Sequence, residues 1–411
     1  MSKKIGGVVA LSAMCALSLF LLNCGSSSSR PSGLLYVLTQ GSNGTGNAVS
    51  SFAIDLNSGN LSLINSNAST CATAGACGLP LDIVLDPTGA AAFVLNQGAI
   101  SSYSVKSDGT FGAPNTAWTV TAGDTALAIA RDAGGNFLYV ITAGNPVVGP
   151  ELYVFSTKPG STTLTLVNNG AADLGFVLPR VPTALSAIAI SSPAEELLFV
   201  ASSKDLSANH NDNTLSVYGV GSDGTLTEKI GSPYATSTIN PLSVLAVNTN
   251  VAPQNNGGVF VYVGAAGNAS GALDAFQVCT VVGVAGCTSS DVTNALLLPV
   301  GTSPTSTGQN PVGMVVDPTN SFLYVVCEVQ SAVYGYRIFG TTGVLTAQSP
   351  ANLSTGSQPV ALAIHSSGKF LYTSNSGSSN ISAFTLSTTS GSMNSLSTVN
   401  SPPGPSGMAA R

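Results

Sequence analysis

The chain has 411 residues, of which only 7% are charged, and it is rich in Gly, Ser, Thr, Asn and Ala. This composition favours short strands joined by many turns and excludes an architecture of long amphipathic helices. Acidic residues outnumber basic ones by 18 to 12, with no cluster of Lys or Arg, so we expect no nucleic-acid partner.

Residues 1–23 have the pattern of an export signal. Lys3 and Lys4 give a basic start, and the apolar core from Val8 to Leu22 is too short, with these flanks, to predict a membrane span. We therefore predict a signal peptide over residues 1–23, a flexible tether over residues 24–33 and one large repetitive domain over residues 34–411.

The segment Leu21-Leu22-Asn23-Cys24 resembles the lipobox of bacterial lipoproteins. Asn23 departs from this pattern, because Ala, Gly or Ser is usual at that place. The resemblance implies cleavage before Cys24 and acylation of this cysteine, so that the acyl chains anchor the protein to a membrane. A plain signal peptide and a retained anchor are the alternatives. We expect an exported protein held at the cell envelope, on the outer membrane if the cell has one, since Gly25 rather than Asp follows the cysteine.

A four-strand unit repeats along the rest of the chain and is clearest from Asn310 to Leu345. It contains a Pro-led apolar run, an Asp-Pro turn, a second apolar run, and a third run with Tyr334 and Tyr336 before a Thr-Gly turn leads into a fourth. Four short strands separated by turns predict one antiparallel sheet. Such a sheet is too small to bury its faces alone, so the copies must stack.

The second strand of the unit occurs seven times, with an aromatic residue at the same place in each copy. These aligned residues are Tyr36, Phe93, Tyr139, Phe199, Tyr262, Tyr324 and Tyr372. Turns such as Asp108-Gly109 and Asp223-Gly224 predict tight connections into fourth strands. The predicted fold class is all-β: a seven-bladed β-propeller of four-stranded antiparallel blades.

The two ends complete one blade in this alignment. The first unit begins at its second strand, at Leu34, whereas Pro405 to Arg411 matches a first strand such as Pro311 to Val316. We therefore predict that the C-terminal strand closes the propeller by joining the N-terminal blade, which removes the exposed edges of an open array.

The cysteines beyond the leader predict local disulfides. Cys71 and Cys77 lie close together in one loop, and Cys279 and Cys287 flank another. In an exported protein such close pairs favour disulfides over a metal site, since no His or third Cys lies near either pair. Cys327 remains, and its apolar neighbours predict a small buried hydrophobe.

The motif Pro-x-apolar-Asp-Pro-x-Gly-x-Phe-Leu-Tyr-Val, followed by a Tyr-containing strand and a Gly turn, resembles the lactonase-type seven-bladed propellers, also called YVTN-repeat proteins. The resemblance covers nearly all of residues 34–411. It implies the fold but leaves the activity open, because such propellers include lactone hydrolases, a cycloisomerase-like branch and surface-layer proteins. It is a poor match to quinone-dependent dehydrogenase propellers, whose blades are Trp-rich, since this chain has only Trp118.

Lactone hydrolysis needs a base that activates water and a donor for the developing oxyanion. The chain has two histidines that could take part. His365 occupies the turn position that Asp86, Asp132 and Asp317 occupy in other units, so a structural role is predicted for it. His210 lies in a polar loop between the second and third strands of the fourth unit.

Such loops share one face of a propeller with the connections that lead from one blade into the next, and ligands commonly bind on that face. It would carry six polar residues: Asp124, Arg180, Lys204, Asp205, His210 and Asp212. His210 and Arg180 are the catalytic candidates. A solvated loop is the alternative, because Asn-Asp-Asn sequences form turns without a ligand. The spacing matches no calcium-binding loop, and no metal is expected.

The leading hypothesis is a lipid-anchored binding or interaction module for a small molecule, such as a lactone or sugar, or for a protein, without a cofactor. The alternative is a lactone hydrolase of the 6-phosphogluconolactonase type. We expect little or no hydrolysis of phosphorylated or simple sugar lactones, because one histidine is accounted for by the repeat and basic residues are few.

Overall fold

A computed structural model describes residues 33–41, 46–73, 76–145, 147, 149–167, 175–191, 194–205, 213–250, 257–267, 270–283, 286–301 and 304–411, without the side chains of residues 66, 67, 204 and 205. The predicted signal peptide, the lipidation site Cys24 and all but the last residue of the predicted tether lie outside these residues. Within the described ranges, no helix is long and apolar enough to cross a membrane.

The described strands form seven antiparallel sheets, which confirms the predicted all-β, seven-bladed propeller. The strands are β1 (Leu34–Thr39), β2 (Ala48–Ile54), β3 (Leu61–Ser69), β4 (Pro80–Leu85), β5 (Ala91–Asn96), β6 (Ala99–Ser104), β7 (Asn115–Thr119), β8 (Ala126–Arg131), β9 (Phe137–Thr142), β10 (Glu151–Ser156), β11 (Thr165–Leu166), β12 (Phe176–Val177), β13 (Arg180–Ser191), β14 (Ala194–Asp205), β15 (Thr214–Val220), β16 (Leu226–Glu228), β17 (Tyr234–Ala235), β18 (Pro241–Asn248), β19 (Val259–Ala265), β20 (Gly271–Val278), β21 (Leu297–Pro299), β22 (Thr305–Thr307), β23 (Pro311–Val316), β24 (Phe322–Cys327), β25 (Ala332–Ile338), β26 (Leu345–Ser354), β27 (Pro359–Ile364), β28 (Phe370–Asn375), β29 (Asn380–Leu386), β30 (Met393–Ser395), β31 (Val399–Asn400) and β32 (Pro405–Ala410).

From the centre outward, the blades in chain order are β32-β1-β2-β3, β4-β5-β6-β7, β8-β9-β10-β11/β12, β13-β14-β15-β16/β17, β18-β19-β20-β21/β22, β23-β24-β25-β26 and β27-β28-β29-β30/β31. In four blades the outermost strand is split into two pieces that pair with the same third strand. Pro233 separates the two pieces in the fourth blade and Pro304 immediately precedes β22 in the fifth. Proline has no N–H to donate to the ladder, which accounts for these two interruptions.

One short helix, α1 (Ser289–Asn294), interrupts the all-β pattern in the long connection between β20 and β21. The side chain of Thr288 caps it by accepting a hydrogen bond from the Asp291 N–H at 3.2 Å. The repeat did not predict this helix, because it lies in an insertion between blade strands.

The predicted closure is confirmed by the pairing of β32 with β1. Leu35 lies opposite Ala410 in this antiparallel ladder, and Val37 lies opposite Met408. The ladder continues to the last residue, since the N–H groups of Leu34 and Arg411 each donate to the other residue's carbonyl oxygen at 3.0 Å.

The hydrophobic core lies between the blades. Seven clusters of buried side chains each join two neighbouring blades. The second strands are buried along almost their whole length, as expected for strands covered on both faces.

A contact between blades explains why both the tyrosine of the second strand and the Gly turn before the fourth strand recur in the repeat. In three blades, the tyrosine hydroxyl of the second strand donates to the carbonyl oxygen of a turn glycine in the next blade. These pairs are Tyr262 with Gly343 (2.9 Å), Tyr324 with Gly391 (2.8 Å) and Tyr372 with Gly59 (2.9 Å). Gly391 has a φ of +73°, and a Cβ atom there would lie 2.3 Å from the ring of Phe322. Only glycine fits that turn without a shift.

Candidate functional site

A central channel of about 440 Å³ is lined by the innermost strands of all seven blades. Each of these strands has a β-bulge near its start, where one residue is skipped in the pairing with the second strand. Proline precedes the bulge in six blades, and Ala126 does so in the third. A proline can stand there because it has no N–H to offer the ladder. Bulges re-aim the neighbouring side chains, here around the mouth of the channel.

The residue directly after the bulge lines the channel in every blade. It is Asp82 in the second blade, whereas the other six blades have a small residue there: Ala128, Ala184, Ser243, Gly313, Ala361 and Gly407. Asp82 is the one charged side chain among the described residues that line the channel. A residue that breaks the rule of its own repeat is expected at functional sites.

The carboxyl group of Asp82 is set in an unusual environment. Its Oδ1 atom accepts a hydrogen bond from the Ile83 N–H at 2.8 Å, and the described residues supply no further hydrogen bond or ion pair to it. Gly407 packs so closely that a Cβ atom there would lie 2.5 Å from the Asp82 Cα atom and 2.8 Å from Oδ1. Burial raises the pKa of Asp82 to about 7, against the smaller opposing effect of the Ile83 N–H. Asp82 can therefore take up or release a proton near neutral pH.

The other side chains of the channel wall are mostly apolar, whereas the free inner edges of the seven innermost strands present backbone N–H and C=O groups to it. Two polar side chains besides Asp82 line it, and both donate to backbone carbonyl oxygens: Thr183 to Ala201 at 3.2 Å and Ser243 to Pro311 at 2.6 Å. The described wall thus offers a ligand one polar side chain that is not already used by the protein.

Asp124 and Arg180, two of the predicted site residues, lie where the innermost strands of the third and fourth blades begin. Asp124 lies in the connection before β8, and its Oδ1 atom accepts from the N–H groups of Thr125 at 2.6 Å and Gly144 at 2.7 Å. It thereby ties two connections of the third blade together. Arg180 is half-buried at the start of β13, on the neighbouring blade.

The polar loop of the fourth blade is described only at its base. Lys204 and Asp205 end β14, where Asp205 lies opposite Arg180 in the ladder with β13, and only their backbone is described. His210 and Asp212 lie outside the described residues, so their part in a site stays a prediction.

His365 has the structural role that its repeat position predicts. It is buried, and its Nδ1 atom accepts the Ser367 N–H at 3.1 Å. The corresponding bond in the second blade runs from the Thr88 N–H to the Asp86 carboxylate at 3.0 Å. The imidazole therefore replaces the carboxylate as the acceptor that holds the turn.

Both predicted disulfides are confirmed, with Cα–Cα distances of 5.9 Å for Cys71–Cys77 and 5.7 Å for Cys279–Cys287. Cys327 is unpaired and buried, as predicted, and burial raises the pKa of its thiol to about 11. A nucleophilic role is disfavoured because the thiolate is scarce at neutral pH. The described part of the chain contains no group of three His, Cys, Asp or Glu side chains placed to hold a metal.

Asp82 was not among the predicted site residues, although the sequence contains a signal for it. The predictions aligned the second and third strands of the units and weighed histidines and loops. Aligning the first strands from their prolines places Asp82 in the same column as Gly313, Ala361 and Gly407. An alignment of the first strands would therefore have singled out Asp82 from the sequence alone, as the one carboxylate among small residues at that position.

The comparisons with known proteins agree with this fold. Residues 288–405, less than half of the chain, match the model of a family described as lactonase, 7-bladed beta-propeller. This match agrees with the seven-bladed propeller that the described strands form. A comparison with curated proteins finds no match.

Two solved structures resemble the whole propeller. A periplasmic gluconolactonase of Pseudomonas aeruginosa aligns with a TM-score of 0.63 and 15% identity, over 92% of this chain and 99% of that one. A Bacteroides fragilis protein proposed to be a 6-phosphogluconolactonase aligns with a TM-score of 0.65 and 13% identity, over 94% and 99%. At such identities the likeness establishes the fold alone.

Proposed function

We propose that this protein is a lactone hydrolase that works in the central channel at Asp82. The observation that carries the proposal is the single carboxyl group among the described side chains that line the channel, with a pKa of about 7. The family match over residues 288–405 and the gluconolactonase with the same fold support this class of reaction. The proposal corresponds to the alternative hypothesis from the sequence.

The proposed step needs one base and one water molecule. The Asp82 carboxylate takes a proton from water while the water oxygen bonds to the carbonyl carbon of the lactone. The ring C–O bond then breaks, and the ring oxygen leaves with the bonding electrons and takes the proton from Asp82. The product is a hydroxy acid, and nothing is oxidised or reduced. A base whose pKa lies near the working pH suits this role.

The charge of the site favours an uncharged lactone. No Lys, Arg or His lies among the described residues that line the channel, so a phosphate group would find no counter-charge there. An ionised Asp82 would repel that group as well. The low activity predicted toward phosphorylated lactones follows from the same arrangement.

Asp82→Asn tests the proposal directly. We expect kcat/KM for an uncharged lactone to fall by about 10² to 10⁴, because a general base contributes that much. In the unaltered protein, kcat/KM should rise with pH through about 7 and then level off, since the base must be ionised. Asp108→Asn is the matched control, because Asp108 is an exposed carboxylate in a turn of the same blade. Unchanged turnover in Asp82→Asn would refute the role of Asp82.

The second candidate is the binding module, in which the channel holds its ligand without turnover. Both hydroxyl groups of the described wall already donate to carbonyl oxygens, so neither is free to stabilise an oxyanion. Calorimetry that detects lactone binding, together with the absence of hydroxy-acid product at all pH values, would favour this candidate over the hydrolase.

We further propose that the six polar residues predicted for the ligand-binding face guide the ligand toward the channel. Asp82 follows the connection into β4, so it lies near the same face as Asp124 and Arg180. Arg180→Ala or His210→Ala should then lower kcat/KM or weaken binding without changing stability. Both variants behaving like the unaltered protein would remove these residues from the site.

Export and lipid anchoring at Cys24 are proposed on the leader pattern, and the two disulfides suit an oxidising compartment. Replacing Cys24 by Ser should release the protein from the membrane fraction and abolish its labelling by a fatty-acid precursor. Labelling that persists in this variant would contradict the proposal.

A further inference from the structure

We infer that a groove between the fifth, sixth and seventh blades binds a sugar acid, that is, a sugar ring that carries a carboxylate. The groove is separate from the central channel, and the inference does not rest on the proposed hydrolysis. It is carried by an unpaired guanidinium group, an exposed phenyl ring and several hydroxyl groups that line one cavity of about 400 Å³. A cavity of this volume has room for a small organic ligand.

The groove is built from turns of three neighbouring blades. Two turns of the sixth blade contribute to it, between β23 and β24 and between β25 and β26, together with the β29–β30 turn of the seventh blade and Gly257 of the fifth. The Gly258 N–H donates to the Gly340 carbonyl oxygen at 3.0 Å, and the Tyr324 hydroxyl donates to the Gly391 carbonyl oxygen at 2.8 Å. These bonds between blades fix the walls of the groove relative to one another.

The charged residue of the groove departs from the repeat. In six blades the third strand carries an aromatic residue, one further residue and an aliphatic residue, as in Tyr336-Arg337-Ile338. The middle residue is uncharged in the other five of these blades: Ala53, Ser104, Gly219, Gln277 and Thr385. Arg337 therefore breaks the rule of its own repeat, as functional residues are expected to do.

The Arg337 guanidinium is available to an anion. Its central carbon lies 5.7 Å from the centroid of the Phe339 ring, an arrangement in which the cation and the ring attract each other. No described residue accepts a hydrogen bond from it or forms an ion pair with it, and no Asp or Glu is among the described residues that line the groove. Asp317 belongs to an adjoining turn, where its carboxylate accepts from the N–H groups of Thr319 and Phe322. A carboxylate matches the fork of free guanidinium N–H groups.

Hydroxyl groups in the same groove indicate a sugar rather than a bare anion. Those of Thr341 and Thr388 have no hydrogen-bond partner among the described residues. Three more line the groove: Thr319, Ser321 and Thr389. Hydroxyl side chains both donate and accept, as the hydroxyl groups of a sugar do. The Phe339 ring, which is 47% exposed, adds apolar surface for the C–H groups of a sugar ring.

The charge of the groove favours a carboxylate over a phosphate. One guanidinium group matches the single charge of a carboxylate, whereas a phosphate monoester carries about 1.5 to 2 charges at neutral pH. The chain as a whole has a net charge of −6, so the attraction for an anion is local to Arg337. Added salt should therefore weaken binding.

Calorimetry with D-glucuronate tests the inference, with D-glucose as the neutral comparison and acetate as the bare carboxylate. We expect glucuronate to bind at least about tenfold more tightly than either, because only glucuronate engages the guanidinium and the hydroxyl groups together. Glucose binding as tightly as glucuronate would overturn the role of the charge. Acetate binding as tightly would overturn the assignment to a sugar.

Variants locate the binding in the groove. Arg337→Gln should weaken glucuronate binding about tenfold or more, and Thr341→Val about two- to tenfold. Both side chains are exposed, so the variants should fold, which their melting temperatures check. Lys106→Gln is the matched control, because Lys106 is an exposed cation in the corresponding turn of the second blade. Glucuronate binding that is unchanged in Arg337→Gln would refute the site.

Two sources present this chemistry, a free sugar acid and an acidic polysaccharide, and oligogalacturonates of increasing length distinguish them. Affinity that grows with length and is lost in Arg337→Gln would assign the groove to a polysaccharide. Oligomers that bind more weakly than the monomer would assign it to a free sugar acid. The absence of binding to all of these sugars by the folded protein would overturn the inference.

Discussion

At the scale of single residues, the free space in the channel depends on the residue directly after the bulge of each innermost strand. Six blades have Ala, Ser or Gly there, and these small residues leave the space that Asp82 enters. Gly407 on the adjacent strand touches Asp82 so closely that a larger residue would displace it. The carboxyl group has a cost to stability, because its desolvation in the enclosed channel disfavours the ionised form.

We predict that Asp82→Asn stabilises the protein at neutral and alkaline pH. The pKa of Asp82 is about 7 in the folded protein, against about 3.9 when unfolded, so the folded state binds more protons between these values. The stability associated with the protonated group is complete below pH ~4 and lost as the pH rises to 7. The difference between variant and unaltered protein should therefore grow over this range, by at most about 1.4 kcal/mol per pH unit, and stay constant above it.

Urea unfolding at pH 4, 5.5, 7 and 8.5 measures this difference. Burial and the nearby Asp132 raise the pKa of Glu196 to about 7 as well, but Glu196 is present in both proteins, so its effect cancels. Asp108→Asn is the control with the opposite sign, because hydrogen bonds from Thr110 lower the pKa of Asp108. A difference for Asp82→Asn that does not change with pH would contradict the prediction.

At the scale of the elements, the second-strand tyrosine of three blades donates a hydrogen bond to the glycine turn of the next blade. Tyr324 donates to Gly391 in the seventh blade, whereas the buried hydroxyl of Tyr36 has no partner among the described residues. The two residues occupy the same place in the repeat and differ in this one bond, so they form a natural control pair.

We predict that Tyr324→Phe costs about 1–2 kcal/mol of unfolding free energy, because the Gly391 carbonyl loses its buried donor. Tyr36→Phe should be neutral or slightly stabilising, because it removes a hydroxyl that is buried without a partner in the described structure. Equilibrium unfolding in urea, with equal m values for both variants, makes the comparison. Equal losses in both would show that the inter-blade bond contributes nothing.

Much of this fold could be predicted because its signals have local causes. Aromatic residues such as Tyr324 recur where strands are buried, and Gly391 is needed where φ is positive. Helix α1 and the split outer strands were missed, since they lie in insertions that follow no repeat. The site was harder, because the pKa of Asp82 depends on six other strands that enclose it, and no local pattern describes that enclosure.

At the scale of the whole molecule, stability depends on closing the ring. Strand β32 pairs with β1, and it also contacts the innermost strands on both sides, β27 and β4. Oγ of Ser374 in the seventh blade donates to the Ser406 carbonyl at 2.6 Å, and Oγ of Ser406 donates to the Pro80 carbonyl at 3.0 Å. The last strand therefore joins the first, second and seventh blades at once.

We predict that deleting residues 405–411 lowers the unfolding free energy by on the order of 5 kcal/mol, a large part of the ~5–15 kcal/mol typical of a folded protein. The loss combines the ladder bonds of β32, at about 1 kcal/mol each, with the exposure of Met408 and of the β1 edge. Adding a synthetic peptide of residues 402–411 should restore the melting temperature in a concentration-dependent manner, because an extended peptide can replace a missing strand. A scrambled peptide of the same composition is the control. A truncated protein that melts at the intact temperature, or one rescued equally by the scrambled peptide, would show that the β32 pairing does not hold the ring closed.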